Sequence, residues 1–306
     1  MTSSSVLSRL SKLQHFVEVA QQGSFRAAAD KLNVAPSAVS KQIKNLEDHF
    51  GVELFRRDRG RGGLELTEAG SILLYRSASI INELSIVREE LNELLGLKRG
   101  HLRVGVNEVV ASDLLPGILH NMHRNFPALE YTIIVENTPE ILKRLHDGDV
   151  DIGLGYNFAA APEIEVLATL HRRTFLITSQ NHALAPRRKV RLEEIAGEKF
   201  IFPDSSVALH QMLQDALIRS GVEVRTIMHT NSFSLLRQMV QDGLGVSMVI
   251  GRFLQSKREQ LAFIEVENLG IERKPLSCCR VAGRAPTSSS VAFAASVKAL
   301  FAQYGG

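Results

Sequence analysis

Ser37, Ser40, Lys41 and Lys44 fall on one outward face of a short amphipathic helix read over residues 36–50. Hydroxyls and ammonium groups near such a helix start can reach base edges and phosphates in a DNA major groove. A second cationic element follows almost at once, Arg56–Arg57–Asp58–Arg59–Gly60–Arg61–Gly62–Gly63, with four arginines against one aspartate. A glycine-rich hairpin of this charge can follow phosphates or enter a minor groove. The chemistry on offer is nucleic-acid binding. Its candidate contacts are Ser24, Pro36, Ser37, Ser40, Lys41, Lys44, Arg56, Arg57, Arg59 and Arg61.

These side chains need a frame, and the flanking pattern supplies one. Leu13, Phe16, Val17 and Ala20 recur at helical spacing until Gly23. Ser24 can cap the next helix, whose Phe25, Ala28, Ala29 and Leu32 form one narrow apolar face. Asn33–Val34–Ala35 is a tight turn, and Pro36 opens the third helix, where its missing N–H costs nothing. Val39, Ile43 and Leu46 point inward, and Gly51 suits the left-handed close of that helix. Three amphipathic helices alone would fit any small bundle with a solvated charge run. The tight helix-turn-helix spacing together with the basic hairpin decides for a winged helix on DNA.

At these positions the chain resembles the LysR-type transcriptional regulators. The resemblance rests on Ala27–Ala28 and Leu32, Ala38–Val39–Ser40, Gln42–Ile43, Leu46–Glu47, Leu54–Phe55–Arg56–Arg57 and Leu66–Thr67–Glu68–Ala69–Gly70. It departs from the usual pattern at Ala35, where the family places Thr or Ser, and in a wing richer in Arg and Gly. The resemblance implies an α+β chain with three parts: an N-terminal winged helix-turn-helix, a long dimerisation helix, and a C-terminal effector domain of two α/β subdomains similar to periplasmic binding proteins. The corresponding boundaries are 1–66, 67–98, 101–171 with 276–306, and 172–272, with crossings near His171–Arg173 and Arg273–Pro275.

The rest of the sequence bears on each part. Net charge is only +3, with 14 basic against 12 acidic residues in 1–100 and 22 against 21 beyond, so grip on DNA must come from locally placed charge. Leu73, Ser77, Ile80, Leu84, Val87, Leu91 and Leu94 form a heptad seam on one long helix capped by Thr67, interrupted once by Ser77. A narrow seam flanked by Arg88, Glu89, Glu90 and Glu93 favours pairing with a second copy, as a two-half-site operator requires. The expected partners are double-stranded promoter DNA, a second copy of the chain in a homodimer or homotetramer, and a small-molecule effector; RNA polymerase is a further candidate. No apolar run reaches signal-peptide or membrane-span length, so a cytoplasmic protein is expected.

From Leu102 onward short apolar strands alternate with helices, which argues for a parallel, doubly wound sheet. In such sheets ligands bind beyond the carboxyl ends of the strands. That rule selects Asn107 and Val109 after the first strand, Thr138 after the second and Tyr156 after the third. In the other half it selects Phe202, Ser205, Asn231, Ser232 and Ser247. Several sit at helix starts, where free N–H groups favour an anion, and the resemblance likewise implies a small carboxylate or related metabolite. Thr138, Ser205 and Ser232 also read as plain helix caps. Glu108 would repel an anion and is expected to face outward; facing inward, it would suit an amine or hydroxyls instead.

Signals for other chemistry are poor. Adjacent Cys278 and Cys279 disfavour a disulfide, and they lack the wide separation that redox sensing in this family implies. Gly243–Leu244–Gly245 follows a helix and has no third glycine, so it is no dinucleotide fingerprint. His120 and His123 lack a third metal ligand, and no serine sits in a nucleophile elbow. No catalytic residue, metal or cofactor is expected. The alternative is a cytoplasmic solute-binding or metabolite-sensing protein without a transcriptional role, against which the basic wing counts.

Overall fold

The computed structural model describes residues 3–57, 64–94, 100–156, 158, 161–205, 207–251, 260–267 and 275–304. They form two compact units, divided within the long helix that follows the wing.

The first unit opens with helices α1 (Ser3–Gln22), α2 (Phe25–Leu32) and α3 (Pro36–Phe50). Gly23 takes a positive φ of 60°, and Ser24 caps α2 through a 3.4 Å bond accepted from the Ala27 N–H. Asn33 holds the left-handed turn at φ 55°, a conformation its short polar side chain tolerates. Ala35 precedes α3 without a side-chain cap, Pro36 fills the first turn, and Gly51 closes the helix at φ 71°. Phe16, Val19, Ala28, Ala29, Val39 and Ile43 are buried together, with Phe55 set 5.4 Å from Phe16 between ring centroids.

Strands β1 (Phe55–Arg57) and β2 (Leu64–Leu66) form the antiparallel base of the wing, and α4 (Glu68–Leu94) leaves directly from it. Thr67 joins these pieces. Its hydroxyl donates to Glu53 O at 2.7 Å and accepts from Gly70 N at 3.0 Å, and its N–H donates to Leu54 O. Gly70 is required here, because a Cβ would stand 2.1 Å from Leu54 O. Leu74 and its neighbours pack onto the head core, whereas Ile80, Leu84, Val87 and Leu91 remain 40–55 % exposed. Ser77, the break in the seam, is fully buried. The side chain of Leu94 lies outside the described residues.

The second unit holds a mixed sheet. Strands β3 (Gly100–Val106), β4 (Leu129–Val135) and β5 (Ile152–Tyr156) run parallel in the order β4-β3-β5. Helices α5 (Glu108–Asp113), α6 (Leu115–Asn125) and α7 (Thr138–Asp147) connect them. Strand β6 (Ile164–Leu170) ends at the crossing into a second set: β7 (Thr174–Ser179), β8 (Lys189–Arg191), β9 (Lys199–Pro203), α8 (Ala208–Ser220), β10 (Arg225–Thr230), α9 (Phe233–Gln241), β11 (Ser247–Ile250) and β12 (Leu261–Glu267). The chain then returns as β13 (Leu276–Val281), inserted between β5 and β6 and antiparallel to both, and ends in α10 (Ser288–Tyr304). In the second set β11-β7-β12-β8 form one sheet, and a parallel bridge between Phe200 and Val246 joins it to the β9–β10 pair.

The expected all-parallel sheet is therefore corrected. In the first sheet pairing is parallel among β4, β3 and β5 and antiparallel at β13, which arrives from the other half of the fold. In the second sheet β7 runs antiparallel to β11 and β12. The segment after β3 is also no open loop, since Glu108–Asp113 is helical, and β6 and β8 carry too weak an alternation to have stood out. Of the crossings, 171–173 is described and joins β6 to β7. Residues 273 and 274 lie outside the described residues.

Candidate functional site

On the head, Pro36, Ser37, Ser40, Lys41 and Lys44 are all exposed along α3. Lys44 is the only one with an ion pair among the described residues, a loose 3.7 Å contact to Asp48 one turn on. Ser24 is half-buried and already serves as the α2 cap. Arg56 is exposed but tied across the hairpin to Glu65 at 3.1 Å. Arg57 lies on β1; its side chain, together with Arg59 and Arg61, lies outside the described residues.

In the second unit a cavity of about 680 Å³ opens at the carboxyl ends of the strands. Asn107, Val109, Thr138, Tyr156, Asn231 and Ser232 all line it. Three expected residues do not. Phe202 is buried beside Phe200, at 4.9 Å between ring centroids. Ser247 is fully buried and donates to Ile201 O at 2.6 Å. Ser205 is an exposed turn residue and caps nothing, because α8 starts only after Val207. The loop rule does not give the direction in which a side chain points, and Ser247 begins its strand instead of following it.

Asn107 is the keystone of the floor. Its Oδ1 accepts from Tyr156 N at 2.9 Å and its Nδ2 donates to Glu136 O at 3.0 Å, so one carboxamide ties the ends of β3, β4 and β5. Gly155 makes this approach possible, since a Cβ there would lie 2.1 Å from Asn107 Oδ1. Thr138 donates its hydroxyl to Tyr156 O at 2.7 Å. The cap of α7 is Asn137 rather than Thr138, with Glu140 N donating to Asn137 Oδ1 at 3.1 Å. Ser232 does cap its helix, accepting from Leu235 N.

Glu108 reverses its expectation and points inward. Its carboxylate accepts from Phe233 N at 2.7 Å, Ser234 N at 3.0 Å and Ser232 Oγ at 3.2 Å. The start of α9 is an anion site, and this chain fills it from within: three donors and the positive helix end compensate a carboxylate facing the cavity. Glu108 stands on α5 of one sheet layer and α9 belongs to the other, so the contact spans the cleft. Sequence reasoning also passed over Glu136 and Glu140, which line the same cavity. Glu136 is held by Arg144 in a bidentate pair, both bonds 2.7 Å. That hydrogen bonding keeps its carboxyl below the usual range.

Behind the floor, Arg172 in the crossing segment pairs with Asp113 at 2.8 Å, both side chains essentially buried. Gly251 lies against this guanidinium, where a Cβ would come within 2.2 Å of it. Tyr156 is also buried. Its hydroxyl lacks a hydrogen bond of good geometry, and burial pushes it up to about 12, opposed by the nearby Arg172 charge. Cys278 and Cys279 are free thiols, both fully buried.

Comparison with known proteins agrees with this arrangement. Residues 10–71 match the family model of the bacterial regulatory helix-turn-helix protein, lysR family, and residues 95–302 match the LysR substrate binding domain. The chain belongs to the LysR family of transcriptional regulators. This LysR-family regulator is 30 % identical over 237 residues to an HTH-type transcriptional regulator, YwbI, of Bacillus subtilis (strain 168), covering 78 % of each chain. It is 29 % identical to a probable RuBisCO transcriptional regulator of Synechocystis, over 93 % of this chain and 84 % of that one. Its fold is similar to full-length OxyR of Pseudomonas aeruginosa, with a TM-score of 0.71, 18 % identity and 94 % of each chain covered. A second similar structure is full-length CbnR complexed with its target DNA, with a TM-score of 0.59 and 20 % identity over 95 % of this chain and 99 % of that one. No helix among the described residues is long and apolar enough to cross a membrane.

Proposed function

We propose that this LysR-family regulator acts as a homo-oligomer on double-stranded promoter DNA and reads a small molecule in the cavity beside Glu108. In this reading residues 1–66 form the DNA-binding head, 67–98 the dimerisation helix, and 101–171 with 276–306 and 172–272 the two halves of the effector domain. Ser37, Ser40 and Lys41 read bases, while Lys44, Arg56 and the Arg-rich wing hold phosphates. The exposed Ile80, Leu84, Val87 and Leu91 seam on α4 meets its copy in a second chain. The protein works in the cytoplasm and carries out no catalysis.

The observation that carries the reading is the position of the Glu108 contact. A carboxylate from α5 holds the start of α9 across the cavity, so a molecule entering there touches both halves at once. Differential contact with the two arrangements is what lets a ligand shift their populations.

Selection of bound fragments from genomic DNA by the purified full-length protein, followed by sequencing, tests the reading. A shared sequence motif is expected. Ser37→Ala and Lys41→Ala should weaken binding to that motif while sparing non-specific DNA; fragments without any enriched motif would refute regulation through DNA.

A further inference from the structure

Among the described residues, the cavity lining contains three carboxylates, Glu108, Glu136 and Glu140, and no lysine, arginine or histidine. The site where an incoming carboxylate would be strongest, the start of α9, is already taken by Glu108. Glu136 has its own counter-ion in Arg144, which stands outside the lining. Glu140 is exposed and pairs with no cation among the described residues. An anionic ligand would thus meet like charges with no basic partner, a penalty that grows as water is expelled. A cation would meet the opposite.

A further observation defines the body of the ligand. Much of the remaining lining is apolar, formed by Val135, Phe233, Leu236, Met248 and Val249, within a volume typical of small-molecule sites.

We propose that the effector is an organic cation, a primary amine or guanidine on an apolar body, whose charged head meets Glu140 and the remaining lone pairs of Glu136 and Glu108. The proposal rests on the reading of this cavity as the effector site and names the chemical class it takes. A donor with several N–H groups can use carboxylate lone pairs that the helix start leaves open. Glu108 then keeps its bond to α9 and serves as a fixed part of the wall.

The test uses the full-length protein and a matched panel: linear and aromatic primary amines and guanidines, each with the alcohol and the carboxylate of the same skeleton. Binding is read by the rise in melting temperature and by calorimetry at millimolar ligand. At least one amine or guanidine should bind, with its alcohol roughly 10-fold or more weaker, as befits loss of a charged hydrogen bond, and its carboxylate silent. Glu140→Gln should weaken the cation and leave the alcohol unchanged. Val135→Trp places bulk at a half-exposed wall position and should abolish binding of both. Stronger binding by a carboxylate, lost in Val135→Trp, would overturn the charge assignment while leaving the cavity as the effector site. Cation binding that survives Val135→Trp would overturn the site itself. Silence from every cation in the panel would overturn the proposal.

Discussion

Replacing Glu108 by alanine tests the contact on which the effector domain turns. The carboxylate accepts three hydrogen bonds, at 2.7, 3.0 and 3.2 Å, from the first turn of α9. On its loss Ser232 Oγ keeps its bond to Leu235 N, but the N–H groups of Phe233 and Ser234 lose their acceptor. The site borders a cavity that admits water, so the low end of the range applies, about 1 kcal/mol for each amide. The helix dipole adds about 0.3–1 kcal/mol. Together these come to about 2–3 kcal/mol, which corresponds to a roughly 30- to 140-fold fall in local protection. Native-state hydrogen exchange of the full-length protein reads this directly in a peptide spanning 231–236. Helix α8, on the far side of β9, should keep its protection. Glu108→Gln should fall between wild type and alanine, because it retains one acceptor without the charge. Unchanged exchange at Phe233 and Ser234 in the alanine variant would refute the capping argument, and with it the claim that the two halves are held there.

Arg172→Met removes a buried guanidinium partner of Asp113 and should cost about 3 kcal/mol in urea unfolding, whereas the double variant Arg172→Met with Asp113→Leu should recover part of that loss; equal losses from the single and double changes would contradict the pairing. Burial pushes the Cys278 thiol up to about 12 and raises Cys279 as well, so neither should react with a thiol reagent at pH 8 until the protein unfolds. The same upward shift makes stability fall with rising pH. Thiols that ionise near their ordinary range in the unfolded chain stay protonated in the fold, so the loss should start near pH 9 and continue to about pH 12, with Tyr156 adding to it above about pH 10. Flat stability over that interval would count against both burials. Leu84→Glu with Val87→Glu should shift sedimentation of the full-length protein towards monomer at micromolar concentration without lowering its helix content; an unchanged oligomer would place the interface elsewhere.

Much of this arrangement could be read from the chain because it rests on local chemistry. Gly23, Ser24, Asn33, Pro36 and Gly51 each have a backbone role that residue type alone indicates, and the structure uses all five that way. The cavity floor was partly legible for a related reason, since strand ends point to ligand sites and Asn107, Thr138 and Tyr156 follow strands. What escaped was direction and long-range pairing. Glu108 was expected outward because it would repel an anionic ligand, and what holds it inward are amides more than a hundred residues away. Phe202 sits near the carboxyl end of β9, yet its side chain is turned to the closed face, and Ser247 begins β11 instead of ending it. The antiparallel insertion of β13 depends on where the chain re-enters the first sheet, which periodicity within a segment cannot encode.

The junction at Thr67 and Gly70 bears on mechanics as well as on folding. Thr67 bonds to two carbonyls of the segment before the wing, and the Gly70 backbone lies directly against one of them, so the start of α4 has no slack relative to β1. A helix of 27 residues reaches about 40 Å. Anchored without a joint, it behaves as a handle cast in one piece with the head. A small tilt at its far end must then appear as rotation of the head, because no flexible step at the base absorbs it.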